Sequence, residues 1–111
     1  MDEELGAVRI APTVITTIAS LTTLSVPGVV RMSGDLISNM EKKLLRHERL
    51  SSGVKLQIKD DAIYLDLYVV VKQGVNMLEV GSQIQKEVGE AVSTIVEMPV
   101  VEVNVYVQDV A

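Results

Sequence analysis

Between Val54 and Val71 apolar and polar residues alternate on both sides of one acidic pair. Val54, Leu56 and Ile58 alternate with Lys55, Gln57 and Lys59, and Asp60-Asp61 follows. Ile63, Leu65, Leu67, Val69 and Val71 then alternate with Tyr64, Asp66, Tyr68, Val70 and Lys72. Successive side chains on a strand point to opposite faces, so this pattern predicts an antiparallel hairpin with one buried face and one outward face. Aspartate favours tight turns, which makes Asp60-Asp61 the bend rather than an acid/base pair.

A sheet buried on one side is most economically covered by helices on that side. The flanking segments read accordingly. Ala7–Ile10 is a short strand, and Pro12 suits the first turn of a helix because its missing N–H costs nothing there. In that helix Val14, Ile15, Ile18, Ala19 and Leu21 recur at helical spacing until Pro27-Gly28 ends it. Val29–Met32 is a second strand. Asp35–Leu50 reads as an amphipathic helix striped by Leu36, Ile37, Met40, Leu44 and His47, and Ser51-Ser52-Gly53 stops it. A third helix runs from about Met77 to Val96 on Met77, Val80, Ile84, Val88, Ala91, Val92 and Ile95. Its Gly81 and Gly89, about two turns apart, are positions where a helix can press close to a sheet. After Pro99, Val101, Val103, Val105 and Val107 alternate with Glu102, Asn104, Tyr106 and Gln108, which makes the last strand. The expected order is β-α-β-α-β-β-α-β. That is an α+β fold in a single domain over 1–111, a largely antiparallel sheet with helices packed on one face.

Composition narrows the function. The 111 residues suffice for one core, and with 48% hydrophobic but 3% aromatic residues that core is aliphatic. There is no cysteine, which removes disulfides, thiolate catalysis and Cys-ligated metals and fits a reducing, cytoplasmic setting. The start, Met1-Asp2-Glu3-Glu4, is acidic where a secretion signal is basic. Ile10 to Val30 carries no charge, yet Pro12 and Pro27-Gly28 cut it short of the ~20 apolar residues a bilayer span needs. The formal net charge of −5 argues against nucleic acid as the partner.

No catalytic constellation is visible. The single histidine, His47, sits among Arg46, Glu48 and Arg49, and the glycines are too scattered for a phosphate loop. The expectation is therefore a protein without enzymatic activity, cofactor or metal.

Three features point to binding. Tyr64, Tyr68 and Tyr106 fall by parity on the outward face of the sheet, either as a protein interface or as the cover of an exposed sheet. Aromatics beside Lys55 and Lys59 also resemble sheets that stack RNA bases, although Asp66 and Glu102 on the same face oppose phosphate. The first helix carries no charge, and its far side is expected to show Thr16, Thr17, Ser20 and Thr23, covered by another subunit or simply exposed. Lys42, Lys43, Arg46 and Arg49 form a basic cluster, read as a solvated helix face or as a contact for an acidic partner or anionic headgroups.

Taken in order, several segments resemble the bacterial alkaline shock protein family of envelope stress response proteins. They are Gly6-Ala7-Val8-Arg9-Ile10-Ala11, Val26-Pro27-Gly28-Val29, Gly53-Val54-Lys55-Leu56, Gly74-Val75-Asn76, the helix with Gln83-Ile84-Gln85 and Val88, and Val103-Asn104-Val105-Tyr106-Val107. The family usually has an aromatic before the glycine where this chain has Gln73-Gly74, and Met98-Pro99-Val100 replaces a common threonine-glycine. The resemblance implies a cytoplasmic protein typical of Gram-positive bacteria, without established catalysis, that self-assembles and lies near the membrane through a membrane-anchored partner. Together these observations predict a self-associating scaffold or adaptor, a homo-oligomer, of the cell-envelope stress response. The alternative is an RNA-binding or other regulatory module that uses the tyrosine face.

Overall fold

The computed structural model describes residues 9–34, 48–51 and 53–111. In chain order the elements are α1 (Pro12–Ser25), β1 (Val29–Met32), β2 (Glu48–Ser51), β3 (Val54–Lys59), β4 (Ala62–Val71), α2 (Met77–Ile95) and β5 (Val100–Val110). The five strands form one sheet, and three of its four pairings are antiparallel. The fold is α+β.

The hairpin is β3–β4, with Leu56 opposite Leu65 and Lys59 opposite Ala62. Its turn residues have φ of 53° at Asp60 and 58° at Asp61. Both angles are left-handed, as a two-residue turn matched to strand twist requires, and aspartate tolerates that region better than most residues.

Strand β4 is the hub. Strand β5 runs parallel to it along one edge, from Ile63–Val100 to Val71–Val110. The other edge is shared end to end by β3, opposite Ala62–Leu67, and β1, opposite Val69–Val71. At the junction the Tyr68 N–H donates to the Gly53 carbonyl and the Ser33 N–H donates to the Tyr68 carbonyl, both at 2.8 Å. Gly53 has φ +85°, and a Cβ there would lie 2.8 Å from Met32 Cβ and 3.0 Å from the Tyr68 carbonyl oxygen. Only glycine lets β1 and β3 meet at this point.

Parallel neighbours need a crossover, and α2 supplies it between β4 and β5. Its start is capped by Asn76, whose side chain accepts from the Glu79 N–H at 3.1 Å. The helix lays Val80, Ile84, Val88 and Val92 on the sheet. Helix α1 adds Ile15 and Ala19, with Val26 just past its end, and the sheet contributes Val54, Leu56, Ile63, Leu65, Leu67, Val69 and Val71. Among the described residues this core cluster is aliphatic, and each fully buried Val, Leu or Ile contributes roughly 1.5–3 kcal/mol of transfer free energy.

Several expectations need correction. The helix expected over Asp35–Leu50 falls mostly outside the described residues, but its end does not: Glu48, Arg49 and Leu50 belong to strand β2, which pairs with β3 from Glu48–Gln57 to Ser51–Val54. An unpaired β3 edge there outweighs helical spacing. The expected first strand, Ala7–Ile10, also lies largely outside the described residues, and Arg9 and Ile10 are not in a strand. Gly81 and Gly89 press against nothing, because a Cβ on either meets open space. In β5 the alternation breaks twice, between the partners Ile63/Tyr64 and again between Val69/Val70. The first irregularity turns Val101 outward, 57% exposed, and the second puts Asp109 rather than Gln108 opposite Val70.

Candidate protein-interaction surfaces

Helix α1 packs the opposite way round from its composition. Thr16 and Thr23, expected on its far side, are buried at 1% and 0% exposure. Each hydroxyl finds a partner inside the helix: Thr16 Oγ1 donates to the Thr13 carbonyl at 3.1 Å, and Thr23 Oγ1 to the Ala19 carbonyl at 2.7 Å. A hydroxyl satisfied this way can face an aliphatic core at little cost, while its methyl group fills space there. Thr17 is exposed and Ser20 is partly so.

What the helix shows outward is aliphatic. Val14, Thr17, Leu21 and Leu24 follow a 3-4-3 spacing along one face, and Leu21 is 63% exposed. No acidic residue opens the helix and no basic residue closes it. Beyond its end, Val26 and Pro27 line an open groove with Leu78, Glu79, Val80, Ser82 and Gln83 of α2. Leu78, at 84% exposure, stands at the rim. Singly exposed leucines are unremarkable, but an uncharged stripe beside a groove is the pattern of a contact surface. Reading Val14 and Leu21 as part of the core stripe missed this. The 3-4-3 spacing was legible, but not which of the helix's two apolar sides meets the sheet.

The sheet's outward face carries the three tyrosines, as parity indicated. Tyr68 and Tyr106 stand opposite each other on β4 and β5 and stack, with ring centroids 4.9 Å apart and planes 16° apart. Tyr64 lies farther along β4, opposite Glu102 and Gln57. Between them, Asn104 Nδ2 donates to Asp66 Oδ1 at 2.9 Å and to Glu102 Oε1 at 3.0 Å. One amide thereby holds two carboxylates beside the stacked rings. Burial first, and then the Asp66 carboxylate, raise the Tyr68 hydroxyl above the usual tyrosine pKa. At Tyr106 the Asp66 carboxylate is the main cause of the same upward shift.

Lys42, Lys43 and Arg46 lie outside the described residues. Arg49 sits in β2 rather than on a helix. Among the described residues no three His, Asp or Glu side chains converge as a metal site would need, and no helix is long and apolar enough to cross a membrane.

A family model, that of alkaline shock protein 23, described as having a cell envelope-related function, matches residues 1–111. The chain belongs to the alkaline shock protein 23 family. The segments from Gly6-Ala7-Val8 to Val105-Tyr106-Val107 carried that membership in the sequence. The family is related to the cell envelope, and neither its description nor the relatives give a sign of enzymatic activity. Similar proteins of the alkaline shock protein 23 type include the uncharacterized protein YqhY of Bacillus subtilis (strain 168), 30% identical over 106 residues, 96% of this chain and 78% of the relative. The uncharacterized protein YloU of the same organism is 31% identical over 95% of this chain and 88% of its own. The uncharacterized protein Spy1535 of Streptococcus pyogenes is 31% identical over 97% of this chain and 81% of its own. No solved structure matches the chain.

Proposed function

We propose that this member of the alkaline shock protein 23 family is a non-enzymatic, self-associating adaptor of the cell-envelope stress response, held near the membrane by a protein partner. The observation that carries this reading is the outward stripe of α1. A helix that buries two threonines while exposing Val14, Leu21 and Leu24 leaves apolar surface that folding alone does not use. The stripe has no charge to repel a second copy, so like can pack on like. The family's cell envelope-related description and the absence of a membrane-crossing helix among the described residues suit an adaptor that reaches the envelope through another protein.

Light scattering behind a sizing column, over a concentration series, tests the reading. The wild-type mass rises with concentration, whereas Leu21→Lys and Leu24→Glu associate more weakly, with unchanged thermal melting. A wild-type protein that stays monomeric throughout ends the self-association reading. Association as strong as wild type in both folded variants removes α1 as its surface. The RNA-binding alternative finds less support, because Asp66 and Glu102 flank the stacked tyrosines. It would return if RNA bound at low salt and Tyr64→Ala and Tyr68→Ala abolished the binding.

A further inference from the structure

The outward face of the sheet is divided by charge. On the edge of β4 shared by β1 and β3, the outward positions are Arg31, Lys55, Gln57 and Lys59. On the β5 edge they are Glu102, Asn104, Tyr106 and Asp109, which include no cation. Asp66 stands directly opposite Lys55, so that pair is local. Beyond β3, strand β2 sets Glu48 opposite Gln57, and Lys72 is exposed just past the end of β4. The exposed charges that flank β4 itself are Arg31 and Lys59 on one side and Glu102 and Asp109 on the other. The middle row needs no further cover, since Tyr68 and Val70 are buried and Tyr68 stacks on Tyr106.

We propose that this face is a second self-association surface, on which another copy packs about a two-fold axis running along β4. The inference rests on the self-associating reading above and assigns it a distinct surface. The register makes it specific. Arg31 and Asp109 both stand opposite Val70, on opposite sides of β4. A half-turn about an axis along β4 exchanges the two borders while keeping each residue's position along the strand. Arg31 therefore faces the partner's Asp109. Glu102 stands level with Tyr64 and Lys59 level with Ala62, two residues or about 7 Å along the strand, within reach of a lysine side chain. Lys59 accordingly meets the partner's Glu102.

The charge pattern also selects the axis. A two-fold lying across the strands would set cation on cation and acid on acid, which disfavours association. The axis along β4 keeps the strands of the two sheets aligned, as face-to-face sheets prefer, about 10 Å apart. Tyr106, 41% exposed on the β5 border between Glu102 and Asp109, then supplies aromatic contact.

The test separates this surface from α1. Sedimentation equilibrium is run on the full chain carrying Leu21→Lys, which silences the helix stripe, at low and high salt. A dimer is expected whose dissociation constant rises with salt. Adding Arg31→Asp or Asp109→Arg alone weakens it at least about tenfold, and adding both restores it to within about threefold. A strictly monomeric Leu21→Lys protein overturns the proposal while leaving the α1 reading in place, provided the wild type associates. A dimer indifferent to both single reversals overturns it as well. A Leu21→Lys dimer as strong as wild type and dissolved by charge reversal supports the sheet and removes α1.

Discussion

Among the described residues two helices cover the same face of this sheet, and they use their residues in opposite ways. Helix α2 puts Val80, Ile84, Val88 and Val92 inward, and its outward side includes Glu79, Ser82, Gln85, Lys86 and Glu90. Past its first turn it is complete as a surface helix, and Gln85 Nε2 also ties it to the β5 edge through the Val103 carbonyl at 3.0 Å. Helix α1 seats Ile15, Thr16, Ala19 and Thr23 and turns Val14, Leu21 and Leu24 outward. Of its larger aliphatics only Ile15 is buried, beside the small Ala19 and the two threonines, while Val14, Leu21 and Leu24 remain on the far side. One helix shows a polar outer side; the other leaves aliphatic side chains exposed.

The largest expected effect breaks the better-seated helix. Ile84→Ala removes a side chain with no exposure and leaves a cavity between α2 and the sheet, at a cost of about 3 kcal/mol in denaturant unfolding. A cost below 1 kcal/mol would show that α2 does not carry the core as described. Next comes the tight seat of α1. Ala19→Leu forces extra volume into a fully buried position and destabilises by about 2 kcal/mol. A neutral result would mean that α1 has room to move away from the sheet. Smaller still, Thr23→Val keeps the shape and removes only a hydroxyl bonded within its own helix, so stability changes by about 1 kcal/mol or less. On the outward side, Leu21→Lys shifts folding stability by about 0.5 kcal/mol or less, although it is the variant expected to weaken self-association through α1. A melting temperature lowered as far as by Ile84→Ala would place Leu21 in the core and erase the contrast between the helices.

The opposite face of the sheet offers the finest probe. Tyr68 and Tyr106 hold their protons more tightly in the folded chain than ordinary tyrosine does. An unfolded tyrosine ionises near pH 10, so the stability tied to these hydroxyls is fully present below that value and is lost as pH rises through the higher folded pKa. Wild-type melting temperature is therefore expected to fall more steeply above about pH 10 than that of the Tyr68→Phe/Tyr106→Phe protein. Parallel pH profiles would show that neither burial nor the Asp66 carboxylate raises these hydroxyls.

Much of this protein was legible before any coordinate. The period-two runs of Val54–Ile58 and Ile63–Val71 determined the hairpin, its buried face and the outward parity of Tyr64, Tyr68 and Tyr106, because pleating ties side-chain direction to sequence position without reference to anything distant. The 3.6-residue spacing of Val80, Ile84, Val88 and Val92 determined α2 in the same local way. Tertiary structure alone decided the rest. Glu48–Leu50 carried a helical pattern, but pairing with the β3 edge made it a strand. Two register irregularities in β5 moved Val101 outward and brought Asp109 level with Arg31, and only the partner strand sets such shifts. Helix α1 had two apolar sides, and the choice between them was made by fit against the sheet. Which apolar surface becomes core depends on the shape of what it meets, and that shape exists only once the chain has folded.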